Sequence, residues 1–488
     1  MRAHRNAILC IAAVATLILV AADVAFAQRV FSRGPSSNIG ANGPSRSGGS
    51  YYGGGGYRGG WGPGVLMAIP PGGQYIDDGY DGPQGMGRSP QRAARRGSSG
   101  APSANEQRLV PDEVVIEVAN SVSPQQIDAL QRRHRLTRIE SQTFQLSGTT
   151  LFRWRILDRR SVAAVVRALE ADRVVASAQP NYLFTLQEDE AKMVSEGDAA
   201  QYELAKLRLP QAHGLAKGDK VLVAVIDSGV DANHPELAGA VAKTYDTLST
   251  PMAPHKHGTA VAGLIAAHGK LMGAAPLAHI LAIRAFDGMG AGAEGTTFNI
   301  LKGLDWAAAN GARVINMSFA GPPDPALHRS LEAAHKKGII LVAAAGNAGP
   351  KSPPLYPAAD PNVIAVTATD ADDKLFAQAN RGRHIAVAAP GAQILVAIPD
   401  GGYEVSSGTS YSAAEVSGIA ALMLERKGDL TPDKARDILL ATAKDLGPKG
   451  RDIMFGAGLA DAYSALMAEE TPMAAMPRPV ERASTGAR

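Results

Sequence analysis

The sequence predicts an α/β fold, a doubly wound and mostly parallel sheet, preceded by a smaller α+β unit. Three observations carry this reading. Six apolar runs, at 221–226, 279–285, 313–318, 339–345, 363–369 and 385–389, follow one another in the second half of the chain. Runs of that kind are strands buried on both faces. Helical patterns lie between them, at 257–268, 297–309 and 326–337. Strand–helix alternation of this kind builds a parallel sheet covered by helices. Upstream, residues 106–190 change to short alternating strands and two amphipathic helices.

The chain opens with an address. Arg2 and Arg5 precede an apolar run, 7–22, broken only by Thr16; Asp23 and Ala25-Phe26-Ala27 follow. That order is a secretory signal peptide, 1–27. The run falls short of the ~20 residues that span a bilayer. It predicts an exported protein, periplasmic or extracellular, with no stable membrane span after the signal is removed. Cys10 is the single cysteine. No intrachain disulfide and no thiolate zinc site can therefore form.

Residues 28–105 are a spacer. They hold 21 of the chain's 53 glycines and 8 prolines, with 8 Arg against 3 Asp. Such composition has no core to fold around and reads as a disordered linker. The whole chain carries 49 Lys+Arg against 46 Asp+Glu, a net charge of +3. That balance excludes a nucleic-acid footprint by bulk charge.

The unit at 106–190 begins with a strand at 113–118. Ser123-Pro124 then opens a helix, a capping residue followed by proline at the first helical position. Ile127, Leu130 and His134 share its inner face. Strands follow at 136–144 and 150–157. Ser161 opens a second helix with Val162, Val165, Val166 and Leu169 inward, and a last strand is expected at 174–178, before Pro180-Asn181-Tyr182. The order βαββαβ is the split, ferredoxin-like arrangement.

In the larger sheet, polar residues at the carboxyl ends of strands are the ones to examine, because ligands bind there. Asp227 ends the first apolar run. His257 opens a helix in His257-Gly258-Thr259. Asn347 follows an apolar strand in Gly346-Asn347-Ala348-Gly349. Ser410 opens another helix in Gly408-Thr409-Ser410. Singly, each reads as a turn former or a cap. Together they supply a nucleophile, its base, the carboxylate that fixes the base's tautomer, and an amide donor for developing negative charge.

In these strings the chain resembles the subtilisin-like serine peptidases. The matching stretches are Val225-Ile226-Asp227-Ser228-Gly229, His257-Gly258-Thr259, Ala345-Gly346-Asn347 and Gly408-Thr409-Ser410. Val314-Ile315-Asn316-Met317-Ser318 and Gly456-Ala457-Gly458-Leu459 match too. The likeness covers about 203–468, within a peptidase domain at 191–468. It implies Ser410 as nucleophile, His257 as general base and then acid, Asp227 as its orienting carboxylate, and Asn347 as oxyanion donor. It implies a substrate groove bordered by Ser318, Phe319 and Ala320, by Ala344, Ala345 and Gly346, and by an edge strand at Glu294. A groove without an acid at the residue before the cut implies a broad or apolar preference. Protein or peptide substrates are the implied partners.

The unit at 106–190 resembles this family's inhibitory propeptide. The resemblance therefore implies an autoprocessed zymogen, cut between about Thr185 and Glu203, with its own propeptide as a partner. Residues 469–488, rich in Pro and Ala, read as a disordered tail.

Two departures matter. After Ser410 the family usually reads Met-Ala-Ser/Thr-Pro-His, whereas this chain has Tyr411-Ser412-Ala413-Ala414-Glu415. The loop Gly269-Lys270-Leu271-Met272-Gly273 lacks the oxygen ligands of the family's usual calcium loop. No calcium is expected there, and no cofactor for catalysis. Two other classes remain open on the residues alone. Asp227, His234, His255 and His257 can be written as ligands of a metal hydrolase. The altered residues after Ser410 also suit a non-catalytic binding protein.

Overall fold

The computed structural model describes residues 99–119, 121–187, 201–248, 253, 255–288 and 293–468. All of these lie within the body 92–488. The expected signal peptide at 1–27, most of the expected spacer at 28–105 and the expected tail at 469–488 fall outside the described residues. The last residues of the spacer are described, and Ser99 Oγ and Gly100 N both donate to the Glu170 carboxylate.

The first six elements are β1 (Leu109–Val118), α1 (Pro124–His134), β2 (Leu136–Phe144), β3 (Thr149–Ile156), α2 (Val162–Glu170) and β4 (Val175–Leu186). Ser123 caps α1 reciprocally: its hydroxyl accepts from Gln126 N and the Gln126 side chain accepts from Ser123 N. Two of the helix's orphan amide donors or their neighbours are thereby satisfied. Arg135 ends the helix in the left-handed conformation, φ 53°. Ser161 caps α2 in the simpler way. The strands pair antiparallel in the order β2-β3-β1-β4. One face of this sheet buries Ile116, Trp154 and Phe152 beneath Leu130, Val165 and Leu169 of the two helices. The other face, with Val115, Phe144 and Tyr182, packs with Phe298 and Leu301 of the larger domain.

β4 is longer than the sequence pattern indicates. It runs through Pro180 to Leu186 rather than stopping at 178. Pro180 faces Val114 beside a shift in the β1 register. Proline is admitted at such an irregularity, where the ladder does not need its missing N–H. Past that point β4 leaves the small sheet and pairs with strands of the larger domain.

The larger domain continues with α3 (Tyr202–Lys206), α4 (Leu209–Ala212), β5 (Leu222–Asp227), β6 (Val241–Asp246), α5 (Lys256–Ala266), β7 (His279–Arg284), β8 (Phe286–Asp287), β9 (Glu294–Thr296) and α6 (Thr297–Ala309). It is completed by β10 (Val314–Met317), β11 (Phe319–Ala320), α7 (Pro325–Lys336), β12 (Ile340–Ala344), β13 (Ile364–Thr369), β14 (Ile385–Pro390), β15 (Ile394–Ile398), β16 (Gly402–Ser406), α8 (Thr409–Arg426), α9 (Pro432–Thr442) and α10 (Ala462–Ala468). Seven strands form its main sheet in the order β14-β13-β12-β10-β5-β7-β6. Every neighbouring pair is parallel. The predicted parallel α/β sheet is thus observed.

Alternation along β5 shows why the strands had to be apolar on both sides. Val223 and Val225 enter the core beneath α5 and α8. Ala224 and Ile226 enter the opposite core beneath α6. Cutting Ile226 back to Ala should cost about 2–5 kcal/mol, because a fully enclosed site cannot collapse around the void. The chain order reverses on either side of β5, so a crevice opens at the carboxyl ends of β5 and β10.

Candidate active site

Asp227 is the last residue of β5, at that crevice. Its Oδ1 accepts from Ser228 N at 2.7 Å and from Ser228 Oγ at 3.0 Å. His257 is the second residue of α5, and its Nδ1 lies 2.8 and 2.9 Å from the two Asp227 oxygens. A carboxylate only accepts, so Nδ1 carries the hydrogen and Nε2 keeps the lone pair a base needs. The helix approaches the strand end this closely because residue 258 is glycine. A Cβ there would sit 2.1 Å from Gly229 O.

Ser410 is the second residue of α8, where a backbone N–H has no partner within the helix. Its Oγ lies 2.6 Å from the Gln187 carbonyl oxygen and 3.0 Å from Ser318 O. Ser318 Oγ in turn donates to Ser410 O at 3.0 Å. Asn347 is held from the same helix start. Its Oδ1 accepts from Thr409 N at 3.1 Å and from Thr409 Oγ1 at 2.8 Å. That fixes the side chain and leaves Nδ2 buried with no hydrogen-bond partner. An unpaired buried donor costs free energy unless something arrives to use it.

The groove is filled by β4. Thr185 pairs with Glu294 and Phe184 with Gly295 on one side; Leu186 pairs with Phe319 and Thr185 with Ala320 on the other. Gln187 N donates to Ser318 O at 3.3 Å, and Gln187 Oε1 accepts from Asn347 N at 2.8 Å. Asp227, His257 and Ser410 are all 0% exposed beneath this strand.

A cavity of about 540 Å³ lies beside the odd-numbered side chains of the strand. Thr185, Gln187, Glu294, Ala320, Ala348, Ser352, Pro353 and Leu355 line it. The structure thus brings Glu294 and Ala320 to the cavity, and Ser318 and Phe319 to the groove strand through Gln187 and Leu186. Phe319 is fully buried beneath β4 and packs on Phe184 of that strand and on Phe286, so it borders the groove although it does not line this cavity. Ala344 and Ala345 are enclosed at the end of β12. Gly346 lies at φ +107° and its amide bonds Thr409 Oγ1. Ser318 contributes backbone, not a side-chain wall. Strand alternation separates Phe319 from the cavity-lining Ala320, since neighbouring residues of one strand point to opposite faces. Ala348, Ser352, Pro353 and Leu355 were missed because they sit on an irregular loop. Ser228 and Thr409 lay inside the catalytic strings and were legible as their supports.

The loop after His268 is closed by a side chain. Glu236 accepts from the amides of Gly269, Lys270 and Leu271 at 3.1, 3.0 and 2.9 Å, and from Tyr403 Oη at 2.6 Å. Its oxygens face N–H and O–H donors, and the loop offers no second acid. These residues do not fit a calcium ion. His234 points away from the crevice, with Nε2 3.2 Å from Gly402 O. Among the described residues, no three His, Cys, Asp or Glu side chains gather as metal ligands. No helix among them is long and apolar enough to cross a membrane.

Comparison with known proteins agrees with this geometry. Residues 218–458 match the model of the Subtilase family. Thermitase of Thermoactinomyces vulgaris is 39% identical over 231 residues, spanning 46% of this chain and 81% of thermitase. The chain belongs to the subtilase family. Another subtilase, subtilisin E of Bacillus subtilis (strain 168), is 35% identical over 274 residues, 54% of this chain and 70% of its own. Among solved structures, fervidolysin from Fervidobacterium pennivorans, a keratinolytic enzyme related to subtilisin, aligns with a TM-score of 0.64 at 24% identity. That alignment covers 76% of this chain and 62% of fervidolysin, and speaks for the fold alone. As a subtilase, the chain is a serine-type endopeptidase acting on protein substrates.

Proposed function

We propose that this subtilase is an exported endopeptidase made as a zymogen, and that its first substrate is its own Gln187–Glu188 bond. One observation carries the reading: Ser410 Oγ stands at the Gln187 carbonyl while the residues before it are paired into the groove as an added strand. Ser410 attacks the Gln187 carbonyl carbon as His257 Nε2 takes the hydroxyl proton. Asp227 holds the ring and stabilises the imidazolium. The oxyanion formed at Gln187 is met by Asn347 Nδ2 and Ser410 N–H, with the positive end of α8 behind them. The C–N bond then breaks, His257 gives its proton to the Glu188 amine, and water hydrolyses the acyl-enzyme.

The unit at 106–190, of the ferredoxin-like type, then acts as an inhibitor held by its cut strand and a polar interface. Lys302 Nζ lies 2.9 Å from Glu140, and Arg329 Nη2 lies 2.6 Å from Glu117. Gln179 Nε2 donates to the buried Asp324 at 2.7 Å, and Asn181 Oδ1 accepts from Phe298 N at 3.3 Å. Later substrates enter the same groove. Glu236 does the structural work at the short loop, so no calcium is required there.

N-terminal sequencing of wild-type and Ser410→Ala protein tests this. Wild type should yield a product beginning at Glu188, and the variant a single uncut band. A cut in both proteins, or in neither, would contradict it.

A further inference from the structure

Asn347 sits on a turn, and that turn is held from outside. Residues 346–349 belong to no helix or strand. Yet the turn must aim Asn347 Nδ2 at one point, since misplacing a group by about 1 Å can cost about 10²-fold in rate. The Gly346 amide donates to Thr409 Oγ1 at 3.1 Å. The Asn347 amide donates to Gln187 Oε1 at 2.8 Å, a partner that departs with β4 in the proposed maturation. Another grip is therefore needed when later substrates enter.

Asn380 supplies it. It lies in the connection from β13 to β14, 32 residues past Ala348, and is 0% exposed. Its N–H donates to Gly346 O at 2.9 Å, and its Oδ1 accepts from Ala348 N at 2.9 Å. One residue thus binds the chain on both sides of Asn347. The next amide of the turn, Gly349 N, donates to Gln378 O at 2.8 Å in the same connection. Phe376 N donates to Ala368 O of β13 at 2.9 Å, and Ala379 N to Phe376 O at 3.0 Å, so the grip is tied to the main sheet. The fit is close. Gly346 adopts φ +107°, and a Cβ there would lie 2.6 Å from Asn380 Nδ2. Among the described residues that Nδ2 is buried with no hydrogen-bond partner. A half-used buried carboxamide is a poor choice for stability alone.

We propose that Asn380 is the positioning residue of the oxyanion donor: by holding Gly346 and Ala348 it fixes the aim of Asn347 Nδ2 at the substrate carbonyl. This role rests on Asn347 being that donor. Asn380 acts through the turn and touches neither substrate nor the reacting atoms. Its side chain does the selective part. The backbone bond to Gly346 O survives replacement by alanine, whereas Ala348 N loses its acceptor and the turn is free to swing.

The test is a double-mutant cycle in the full-length chain, with wild type, Asn347→Ala, Asn380→Ala and both together. Each protein is left to finish its processing, and rates on a peptide ester are divided by the sites titrated with a fluorophosphonate. Asn380→Ala should lower kcat about 10- to 100-fold, with KM changed less than about 3-fold. In the Asn347→Ala background the same substitution should lower kcat less than about 2-fold, because an absent donor cannot be misaimed. Equal losses in the two backgrounds would overturn the role, as would a loss confined to KM or an unchanged kcat in Asn380→Ala. An unchanged kcat in Asn347→Ala would overturn the oxyanion reading itself, and this role with it. If Asn380→Ala does not fold, Asn380→Ser, whose shorter side chain stops short of Ala348 N, carries the same cycle. For a variant too slow to mature, the rate at which the full-length band is converted gives the same comparison.

Discussion

The Gln187 carbonyl oxygen lies 2.6 Å from Ser410 Oγ, although 223 residues separate the two in sequence. The contact is reached because β4 continues past the small sheet and runs between β9 and β11.

Asn347→Ala should lower kcat about 10²–10³-fold with little change in KM. That is the magnitude established in subtilisin itself for loss of one such donor. The reason here is that Oδ1 is fully engaged by Thr409 while Nδ2 waits unpaired. Steady-state kinetics on a peptide ester, beside the rate of self-processing, check it; a change confined to KM would count against the oxyanion role.

Gln179→Leu should shorten the lag before activity appears in full-length protein. It removes a charge-assisted bond to the buried Asp324, which Thr297 Oγ1 also contacts at 2.6 Å. Such a bond contributes about 1.5–3 kcal/mol, or roughly 10- to 150-fold in inhibitor retention. Progress curves after processing read this directly. An unchanged lag with normal processing would mean that the cut strand alone holds the inhibitor.

Glu236→Gln should lower the melting temperature at neutral pH and remove an acid-side transition. Burial raises the Glu236 carboxyl, but the Tyr403 hydroxyl and the amides of residues 271, 270 and 269 outweigh it and hold the group below 4.5. A depressed carboxyl stabilises above its unfolded value, and that contribution is lost as pH falls through the folded one. Melting curves from pH 3 to 7 show the difference. In wild type, chelator should leave the curve in place; a large downward shift would restore a calcium role at the loop.

A peptide-library profile should show neutral or apolar residues before the cut. The groove wall is Ala320, Ala348, Pro353 and Leu355, with the lone acid Glu294 set opposite Thr185, two residues earlier. Glu294→Ala should therefore alter preference at that earlier position and not beside the cut. Dominance of Lys or Arg directly before the scissile bond would refute this map.

Much of the fold was legible because its constraints are local. The six apolar runs appear as β5, β7, β10, β12, β13 and β14, and Ser123, Ser161 and the glycines beside Asp227 and His257 mark their element ends directly. What stayed hidden depends on distant partners. Pro180 looked like a strand end because the register shift that admits it belongs to β1. Which part of the groove Phe319 borders was hidden too, because its facing is decided by pairing with Leu186. Gln187 has no local signal at all; its place follows only from where β4 is delivered.

β4 belongs to two sheets at once, and this has a kinetic consequence. In the proposed self-cleavage the bond offered to Ser410 is tethered in place, so the first turnover is unimolecular and its rate is independent of dilution. Once that bond is cut, the strand is held only by its surface contacts and must compete with other chains for the groove. The same ladder of hydrogen bonds thus changes from an intramolecular clamp into an equilibrium, and dilution shifts that equilibrium toward the open enzyme.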